Sequence, residues 1–570
     1  MSFYKSKWWK ESIGYQIYIK SFKDSNDDGI GDLNGIIEKL DYLKDLGIDF
    51  LWICPFYQSP MVDNGYDVSD FFKVDSSFGT IKDFKNLVKE AKKRKMKIIV
   101  DLILNQTSDE HIWFIESRKD KENPYRNFYI WEKGREKDEG LTEPTNWASF
   151  FGGSVWEYDS KTDEYYMKIF SKHMPDLNWC NPFVRKKMHE VAKFWLDLGV
   201  SGFRVDAAAH LGRKKKLVDS KLNNNDKYKK DWRMFSNLKE TFIYLDEFNK
   251  EVFSKGDILT VGEVGGSATV KEAIKYSGIK KGSLNMVFNF DHCFCNNVYD
   301  VKSKDDKIKT NLIGLKRVFN MWHTKTYKKA WQPLYWLNHD HPRLLSQYGN
   351  EDEPFLSGSM LAVALYFKGG TPFIYQGEEL GMVNYPFKKI EDFNDVSLIN
   401  HYNHEKEKAS FNKEDFIYQE GIRSRDNART IMSWDNSKYA GFSNVKPWFH
   451  LDKNYEKRNV KNALKDKDSL YYFYQKIFKL RKDKRYSKTL IYGKYQQLLK
   501  DDEDIYCYLR KEDKEILVVA NFFNKNKEIE IKGYKVKDIL ISNYKKENKN
   551  LKSLKLRPYE AIVYLVERDK

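Results

Sequence analysis

Three acidic residues end short apolar runs that are typical of buried strands. Asp206 ends GFRVD, Glu263 ends DILTVGE and Asp340 ends PLYWLNHD. A single acidic residue in such a place is more often a helix cap or an ion-pair partner. Three at matching strand ends instead favour a catalytic cluster, because the carboxyl ends of barrel strands meet at one face.

Two of these carboxyl groups have the types needed to cleave a glycosidic bond with retention. That reaction needs a nucleophilic carboxylate and a protonated acid about 5 Å apart, with a lowered pKa on the first and a raised pKa on the second. Arg204 lies two residues before Asp206 on the same strand face, so we expect it to keep Asp206 ionised. Glu263 lies in the mostly apolar context VGEVGG, where desolvation would favour its neutral form.

The elements that must position these residues alternate between apolar runs and segments with apolar residues at helical spacing. The runs are GYQIYI (14–19), FLWICP (50–55), KIIVDLIL (97–104), GFRVD (202–206), DILTVGE (257–263), LNMVFNF (284–290), PLYWLNHD (333–340) and TPFIYQG (371–377). Eight strand-helix units predict an α/β fold with a closed (β/α)8 TIM barrel.

Two segments depart from this alternation. A long polar and aromatic stretch follows the third run, far longer than an ordinary barrel loop, and from about Ser487 onward the apolar residues alternate with a period of two. We therefore predict a barrel in two parts, 1–104 and 174–486, with an inserted domain at 105–173. We expect a C-terminal antiparallel β-sandwich at 487–570.

The composition predicts a globular protein. The 570 residues are 41% hydrophobic and include 15 Trp, 37 Tyr and 37 Phe, which suits a cleft where sugars stack as well as a large core. The net charge of +16 would suit nucleic acid, but the Lys residues are spread along the chain. We expect a solvated surface and no nucleic-acid partner.

Cysteine usage and hydropathy point to the cytoplasm. The five cysteines are odd in number and form no CxxC pair, so neither a disulfide framework nor a zinc ribbon is indicated. The N-terminal residues lack the apolar stretch of a secretory signal, and nowhere do about 18 consecutive apolar residues occur. We expect no membrane partner.

A series of longer motifs occurs in a fixed order along nearly the whole chain. These are ESIGYQIYIKSFKDSNDDGIGDLNGI, DNGYDVSDF, DLILNQTSDEHIWF, MPDLNW, GFRVDA, VGEV, NHDHPR, TPFIYQGEELGM and SRDNART. Together they resemble the α-amylase family of glycoside hydrolases, and within it the oligo-1,6-glucosidase and α-glucosidase branch.

The resemblance implies a role for each matching residue. Asp206 is then the nucleophile, Glu263 the general acid/base, and Asp340 a third carboxylate that grips sugar hydroxyls. The implied substrate-binding residues are Tyr66, Asp67, Arg204, His339 and Arg425. Asp101 and Asn105 look like structural residues of the third strand.

Two residues bear on substrate preference. Gln106 stands where the family usually has His, so we expect binding altered by about 1–3 kcal/mol with the chemistry retained. Ala207 follows the nucleophile, and in the resembling branch Val there accompanies α-1,6 linkages whereas Ala or Thr accompanies α-1,4 linkages. The sequence therefore favours α-1,4 substrates.

An acidic loop near the N-terminus resembles the first part of a calcium loop, with oxygen ligands at alternate positions and Gly29 at the sixth. Its twelfth position is Gly35, so it is not an EF-hand, and a hydrated acidic turn is the alternative. The resemblance implies a structural Ca²⁺ and no organic cofactor. The implied ligands are Asp24, Asn26, Asp28, the Ile30 carbonyl and Asp32.

The sequence thus predicts a retaining, exo-acting α-glucosidase of short oligosaccharides, a monomer or a small homo-oligomer. The alternatives are an isomaltase, a trehalose-6-phosphate hydrolase and a sucrose isomerase, although the segment after Phe290 lacks the Arg-rich loop of those isomerases. A catalytically silent barrel homologue is the alternative that is not an enzyme.

Overall fold

The computed structural model describes residues 3–137, 140–214, 216–546 and 548–569. Its central sheet has eight parallel strands in the order β6-β5-β4-β3-β2-β1-β8-β7. The strands are β1 (Gly14–Ile17), β2 (Phe50–Ile53), β3 (Lys97–Ile103), β4 (Gly202–Asp206), β5 (Leu259–Glu263), β6 (Met286–Phe288), β7 (Pro333–Leu334) and β8 (Thr371–Tyr375). A parallel bridge between Met286 and Trp331 joins the two ends. The predicted TIM barrel is confirmed.

Helices surround this sheet and begin at capping residues. Thr80 forms a capping box with Asp83, and Asn181 caps the helix that starts with Pro182. The helices are Leu33–Glu38, Leu40–Leu46, Ile81–Lys93, Ile112–Ser117, Pro182–Asp197, Lys239–Glu251, Val270–Ser277, Leu312–Thr326, Leu344–Tyr348, Pro354–Tyr366, Val396–Glu405, Lys413–Arg423, Val460–Lys465, Leu470–Lys482 and Ser487–Tyr492.

The barrel interior is filled by side chains from alternate strand positions. Phe50 and Trp52 of β2 belong to one buried cluster with Phe288 and Phe373, whereas Leu51 belongs to the layer between sheet and helices. This alternation is the period-two rule of a pleated strand. The interior is therefore a packed core, and function is confined to the strand ends.

The glycine that opens β4 is required by close backbone packing. Gly202 has φ +152°, and a Cβ there would lie 2.0 Å from the carbonyl oxygen of Leu259. Only glycine lets β4 approach β5 this closely. The two strands that carry Asp206 and Glu263 are thus brought side by side.

The inserted segment has its own small sheets. Trp131–Glu132, Glu164–Met167 and Trp156–Asp159 form an antiparallel sheet, and Arg135–Lys137 pairs with Gly140–Thr142. The segment is tied to the barrel by Asp176, whose carboxylate accepts from Asn105 at 2.8 Å and from Arg213 at 2.6 Å. These three side chains are buried.

The C-terminal region is a two-layer antiparallel β structure, as predicted. Its larger sheet contains Lys494–Leu498, Ile505–Lys511, Glu515–Asn521, Ala561–Arg568 and Tyr534–Ser542, in that order. The smaller sheet pairs Lys527–Ile529 with Leu554–Leu556. Residues 487–492, where we expected the β pattern to begin, instead form a helix in which the consecutive residues Leu490, Ile491 and Tyr492 are all buried, without period-two alternation.

Two buried lysines lie between the barrel helices and the C-terminal sheet. The ammonium group of Lys316 donates to the carbonyl oxygens of Leu499 and Asp502, both at 2.6 Å, and of Ile505 at 3.1 Å. Lys368 is fully buried, and its Nζ lies 2.9 Å from the ring centroid of Phe319 without a hydrogen-bond partner among the described residues. Burial lowers the pKa of Lys368 well below its usual value.

No helix in the described part of the chain is both long and apolar enough to span a membrane.

Candidate active site

The three predicted carboxylates lie at the carboxyl end of the barrel. Asp206 ends β4 and Glu263 ends β5, whereas Asp340 lies in the turn that follows β7. The apolar run PLYWLNHD therefore contains only a two-residue strand, and its second half is turn. The order of the parallel strands brings these three strand ends to one face of the barrel, as expected.

Arg204 connects the two carboxylates assigned to bond cleavage. Its Nη1 lies 2.5 Å from Asp206 Oδ1 and its Nη2 lies 2.5 Å from Glu263 Oε2. The guanidinium is buried and also donates to Asp101 Oδ1 at 2.6 Å. The single Arg204 cation thus forms ion pairs with three carboxylates and holds them close to one another.

The electrostatics differ from the expectation that Arg204 alone would lower the pKa of Asp206. Burial raises the pKa of Asp206, the carboxylates of Glu263 and Asp101 raise it further, and Arg204 opposes them. The surroundings of Glu263 are also not apolar, since it pairs with Arg204 and its side chain is 23% exposed. The expectation of a lowered pKa at Asp206 was therefore wrong. The roles of the two groups rest on the family resemblance and on position.

Asp101 contributes more to the site than its expected structural role in β3. Its carboxylate accepts from Trp52 Nε1 at 2.6 Å and from Arg204. Burial raises the pKa of Asp101 to about 6, although Arg204 and Trp52 act in the opposite direction. The sequence signal was a buried acid in the middle of an apolar strand, which needs a partner.

Asp340 lies among cationic and donor groups. Its Oδ1 is 3.3 Å from Arg425 Nη1 and 3.4 Å from Arg429 Nη2, and its Oδ2 is 3.1 Å from His339 Nε2. Burial acts to raise the pKa of Asp340, but His339, Arg425 and Arg429 outweigh it and hold the pKa well below its usual range. Asp340 is therefore ionised at neutral pH.

His339 is held in one orientation by two polar neighbours. The Gln16 amide nitrogen lies 2.9 Å from Nδ1, and the Tyr66 hydroxyl lies 2.8 Å from Nε2. Donation from Gln16 to Nδ1 places the proton on Nε2, which faces Asp340. Burial lowers the pKa of His339 to about 3, so the ring is a neutral donor. Tyr66 stacks on it at 5.3 Å between centroids.

Asp67 does not line the site, contrary to our expectation. It is fully buried, and its two carboxylate oxygens accept from the backbone N–H groups of Val62 and Asp63. The carboxylate that faces the site from this loop is Asp63, whose Oδ1 lies 2.8 Å from Arg425 Nη2. Asp63 stands in the same DNGYD motif, which was the available signal.

Arg425 meets both the barrel and the inserted segment. It also pairs with Asp395 at 2.7 Å, and its guanidinium lies 5.1 Å from the ring centroid of Phe151. Phe151 belongs to the FFGGSVW stretch of the insertion. The inserted segment therefore forms one wall beside Asp340.

Comparison with known proteins identifies this arrangement. The family model described as "Alpha amylase, catalytic domain" matches residues 16–493, and that described as "Alpha-amylase SusG C-terminal domain" matches residues 505–563. The chain belongs to the α-amylase family. It is accordingly a glycoside hydrolase of the oligo-1,6-glucosidase and α-glucosidase type.

Its relatives in this family extend over nearly the whole chain. It is 44% identical over 569 residues to an oligo-1,6-glucosidase of Parageobacillus thermoglucosidasius, covering 98% of this chain and 99% of that protein. The crystal structure of trehalose-6-phosphate hydrolase from Bacillus licheniformis is similar with a TM-score of 0.90 and 40% identity, covering 98% and 100% of the two chains. That of isomaltulose synthase from Protaminobacter rubrum has a TM-score of 0.92 and 37% identity, covering 99% and 100%.

Gln106 replaces the usual histidine of the α-amylase family beside Tyr66. The side chain is buried, its Nε2 donates to the Tyr66 carbonyl at 3.2 Å, and its Oε1 has no hydrogen-bond partner among the described residues. One of the two N–H groups of the Gln106 amide is thus used, and its Oε1 is a free acceptor at this position.

Ala207 directly follows Asp206 and has an uncommon backbone conformation. Its φ is +46°, in the left-handed region, and its N–H lies 3.5 Å from Glu263 Oε2. It is 4% exposed. Ala207 is therefore buried directly after Asp206, with its backbone N–H beside Glu263.

The acidic side chains of the predicted metal loop accept hydrogen bonds from N–H groups of the same loop. Asp24 accepts from the N–H groups of Asn26, Asp27 and Gly29, and Asp32 accepts from Ser25 and Gly35. Asp28 accepts from Ile30 and Asn26.

These oxygen donors suit Ca²⁺ chemically. However, no group of three or more acidic, His or Cys side chains in the described residues is arranged to hold a metal. Calcium binding therefore stays a prediction, and no step of the reaction is assigned to it.

Proposed function

We propose that this protein is an exo-acting α-glucosidase that removes glucose from the non-reducing end of short oligosaccharides with retention. The observation that carries the proposal is the contact of one guanidinium, Arg204, with both Asp206 and Glu263. Retaining glycosidases need their two carboxyl groups only about 5 Å apart, whereas inverting enzymes need room for a water molecule between them.

In the proposed reaction, Asp206 attacks the anomeric carbon while protonated Glu263 donates its proton to the leaving glycosidic oxygen. The carbon–oxygen bond to the leaving sugar breaks as the bond to Asp206 forms. Glu263, now a carboxylate, takes a proton from water. This water attacks the anomeric carbon, releases Asp206 and restores the proton on Glu263, so that glucose leaves as the α-anomer.

The exo mode is supported by the buried groups on one side of Asp340. Asp63 and Arg425 are mutually paired and largely buried, and the ring of Phe151 lies 5.1 Å from the Arg425 guanidinium. A sugar bound among Asp340, His339 and Asp63 would have charged hydrogen-bond groups at its hydroxyls. We infer that one terminal glucose fills this side.

A preference for α-1,4 linkages is supported by Ala207 beside the cleaved bond. The second candidate is an isomaltase, favoured by relatives named oligo-1,6-glucosidase that are 44% identical over 98% of the chain. The two activities use the same carboxylates. They differ in how the leaving sugar is held.

The charges beside the carboxylates disfavour a phosphorylated substrate near them. The acidic groups Asp63, Asp101, Asp206, Glu263, Asp340 and Asp395 outnumber the guanidinium groups of Arg204, Arg425 and Arg429 in the contacts described above. An anion would be repelled from this excess of negative charge. This weighs against trehalose-6-phosphate, despite the similar fold of a hydrolase that acts on it.

We propose a cytoplasmic monomer or small homo-oligomer, supported by five free cysteines of which all but Cys180 are buried. We also propose a structural Ca²⁺ in the loop at 24–32. Calcium should raise the melting temperature relative to EDTA, and Asp28→Asn should abolish that difference; equal melting temperatures in calcium and EDTA would rule the ion out.

The test of the function is glucose release from maltose, isomaltose, sucrose, trehalose and trehalose-6-phosphate, compared in parallel. We expect maltose to be cleaved best, and proton NMR at early times should show the α-anomer first. The β-anomer would overturn retention. Faster glucose release from isomaltose than from maltose would favour the isomaltase. No glucose release from any of the sugars would contradict the proposal.

A further inference from the structure

The loop after β6 carries two exposed aromatic rings that the catalytic site does not use. Phe294 is 59% exposed and Tyr299 is 48% exposed, and their ring centroids lie 5.6 Å apart at an interplanar angle of 39°. Together the two rings form an exposed apolar patch, and apolar patches rimmed by polar residues are a feature of ligand-binding grooves. We call Phe294 and Tyr299 the rim pair.

The strand order places this loop beside the two most accessible carboxylates. β6 pairs with β5, which ends in Glu263, and it bridges to Trp331 just before β7, which leads to Asp340. Within the loop, Cys293 Sγ lies 3.5 Å from His341 Nε2. Phe294 is thus the chain neighbour of a residue that contacts the turn of Asp340.

A second connection reaches the same place from the other side. The helix Lys413–Arg423 docks beside the rim pair, where Gln419 Nε2 donates to the Lys302 carbonyl at 2.8 Å. This helix ends just before Arg425, which pairs with Asp340. The rim pair is therefore flanked by two segments that both continue into the site.

The solvent exposure of the carboxylate side chains indicates on which side of the site a bound oligosaccharide extends into solvent. The side chains of Asp340 and Glu263 are 27% and 23% exposed, whereas that of Asp206 is 9% and that of Asp63 is 6% exposed. The open side of the pocket is thus between the ends of β5 and β7. The loop after β6 stands at this opening.

We propose that the rim pair is a binding platform for the sugar units beyond the cleaved bond, which makes the enzyme prefer oligosaccharides longer than disaccharides. The proposal rests on the proposed glucosidase function. A pyranose ring has an apolar C–H face that packs on an aromatic ring, and its hydroxyls need polar neighbours. Glu420 and Arg423, paired at 2.5 Å on the adjacent helix, supply such groups.

The kinetic test compares Phe294→Ala with the wild type on a disaccharide and a tetrasaccharide of each linkage. We expect the loss in kcat/KM to grow with chain length, to about three- to tenfold more for the tetrasaccharide, and to reside in KM. Phe294→Trp should preserve the preference. Phe183→Ala is the matched control, because Phe183 is 68% exposed but follows β3 instead of β6.

A binding test separates this proposal from the function itself. In an Asp206→Asn background, calorimetry should show maltotetraose or isomaltotetraose binding more tightly than the corresponding disaccharide, and Phe294→Ala should remove the difference. If the wild type cleaves no α-glucoside, the proposed function fails whatever calorimetry shows. If wild type is active but Phe294→Ala weakens short and long sugars equally, or neither, the platform is wrong.

Light scattering identifies a different occupant. A change of oligomeric state in Phe294→Ala without any change in sugar binding would assign the rim pair to contact between copies of the chain, and would also overturn the proposal.

Discussion

Arg204 determines how the reacting groups behave before substrate arrives. A single guanidinium faces Asp101, Asp206 and Glu263, so the charges at the site do not cancel. Burial is the largest cause of the raised pKa of Asp206, and the carboxylates of Glu263 and Asp101 add to it while Arg204 opposes it. Proton binding at Asp206 is thus favoured in the free enzyme relative to an exposed aspartate.

Asp206→Asn should abolish turnover while leaving the fold intact. The amide is almost the same size and can still accept from Arg204, but it cannot act as the nucleophile. We expect kcat to fall by a factor on the order of 10⁴ or more, measured by glucose release. Thermal unfolding within a few degrees of the wild type is the control, and retained turnover would disprove the assignment.

Ala207→Val tests whether this residue sets linkage preference. The larger side chain should lower the maltose-to-isomaltose ratio of kcat/KM by about threefold or more. Because φ is +46° and Val is β-branched, unfolding should also become easier by about 1 kcal/mol. Ala207→Gly is the control: it relieves the backbone and should keep the ratio. An unchanged ratio in the Val variant would refute the linkage rule here.

For single residues, the sequence predicted where a side chain lies along a strand better than it predicted which groups surround that side chain. Asp206 and Glu263 were placed because each ends a strand whose direction is fixed by its neighbours. Asp67 was misplaced because its direction depends on a loop in which Met61 and Asn64 have left-handed backbones. Such local turns, and the partner that Arg204 chooses, depend on tertiary contacts that no single-sequence pattern encodes.

At the scale of elements, the buried Asp176 network decides how the insertion is held. Asp176 accepts from Asn105 at the end of β3 and from Arg213 after β4. It therefore links both ends of the inserted segment to the strands that lead into the site.

Asp176→Asn should loosen the inserted segment. The substitution leaves the buried Arg213 without its counter-charge, which costs about 3–5 kcal/mol. Urea unfolding should show the loss, and limited proteolysis should cut within 105–173 sooner than in the wild type. Asp163→Asn is the control, since Asp163 is exposed and has a left-handed φ that Asn tolerates. Equal protease resistance would contradict this role.

The elements themselves were largely predictable. All eight strands lie within the predicted runs, because continuous apolar segments must be buried on both faces of a parallel sheet. β7 was overestimated because His339, Asp340 and the residues before them turn out of the sheet to reach Arg425. The helix at 487–492 was missed because a short apolar run fits either period.

At the scale of the whole molecule, barrel and C-terminal sheet share an interface with buried cations. Lys368 is surrounded by the rings of Phe319, Tyr506 and Tyr508. It also interacts electrostatically with Arg510 and His323. No acidic side chain among the described residues pairs with it, so burial shifts its protonation equilibrium toward the neutral amine.

Lys368→Met should be more stable than the wild type at pH 7 by about 1–3 kcal/mol. The folded-state pKa of Lys368 lies below its unfolded value, so the unfolded chain binds more protons and wild-type stability rises as the pH increases toward about 10. The variant should lack this rise in urea unfolding at pH 7 and 9.5. Lys545→Met, at an 89% exposed side chain, is the control, and parallel pH dependences of the Lys368 variant and wild type would exclude the effect.

The backbone hydrogen bonding between neighbouring barrel strands is weaker at one place, between β6 and β7, than elsewhere. Among the described residues, β6 and the β7 side meet through the single bridge of Met286 and Trp331, and β7 is only two residues long. Backbone amides near this seam should therefore exchange with deuterated solvent sooner than those of β3 or β4. The seam separates β6, which leads to the rim pair, from β7, which leads to the turn of Asp340, so we expect local opening there to shift these two segments relative to each other. A bound inhibitor that spans the opening should slow exchange at this seam more than anywhere else in the barrel.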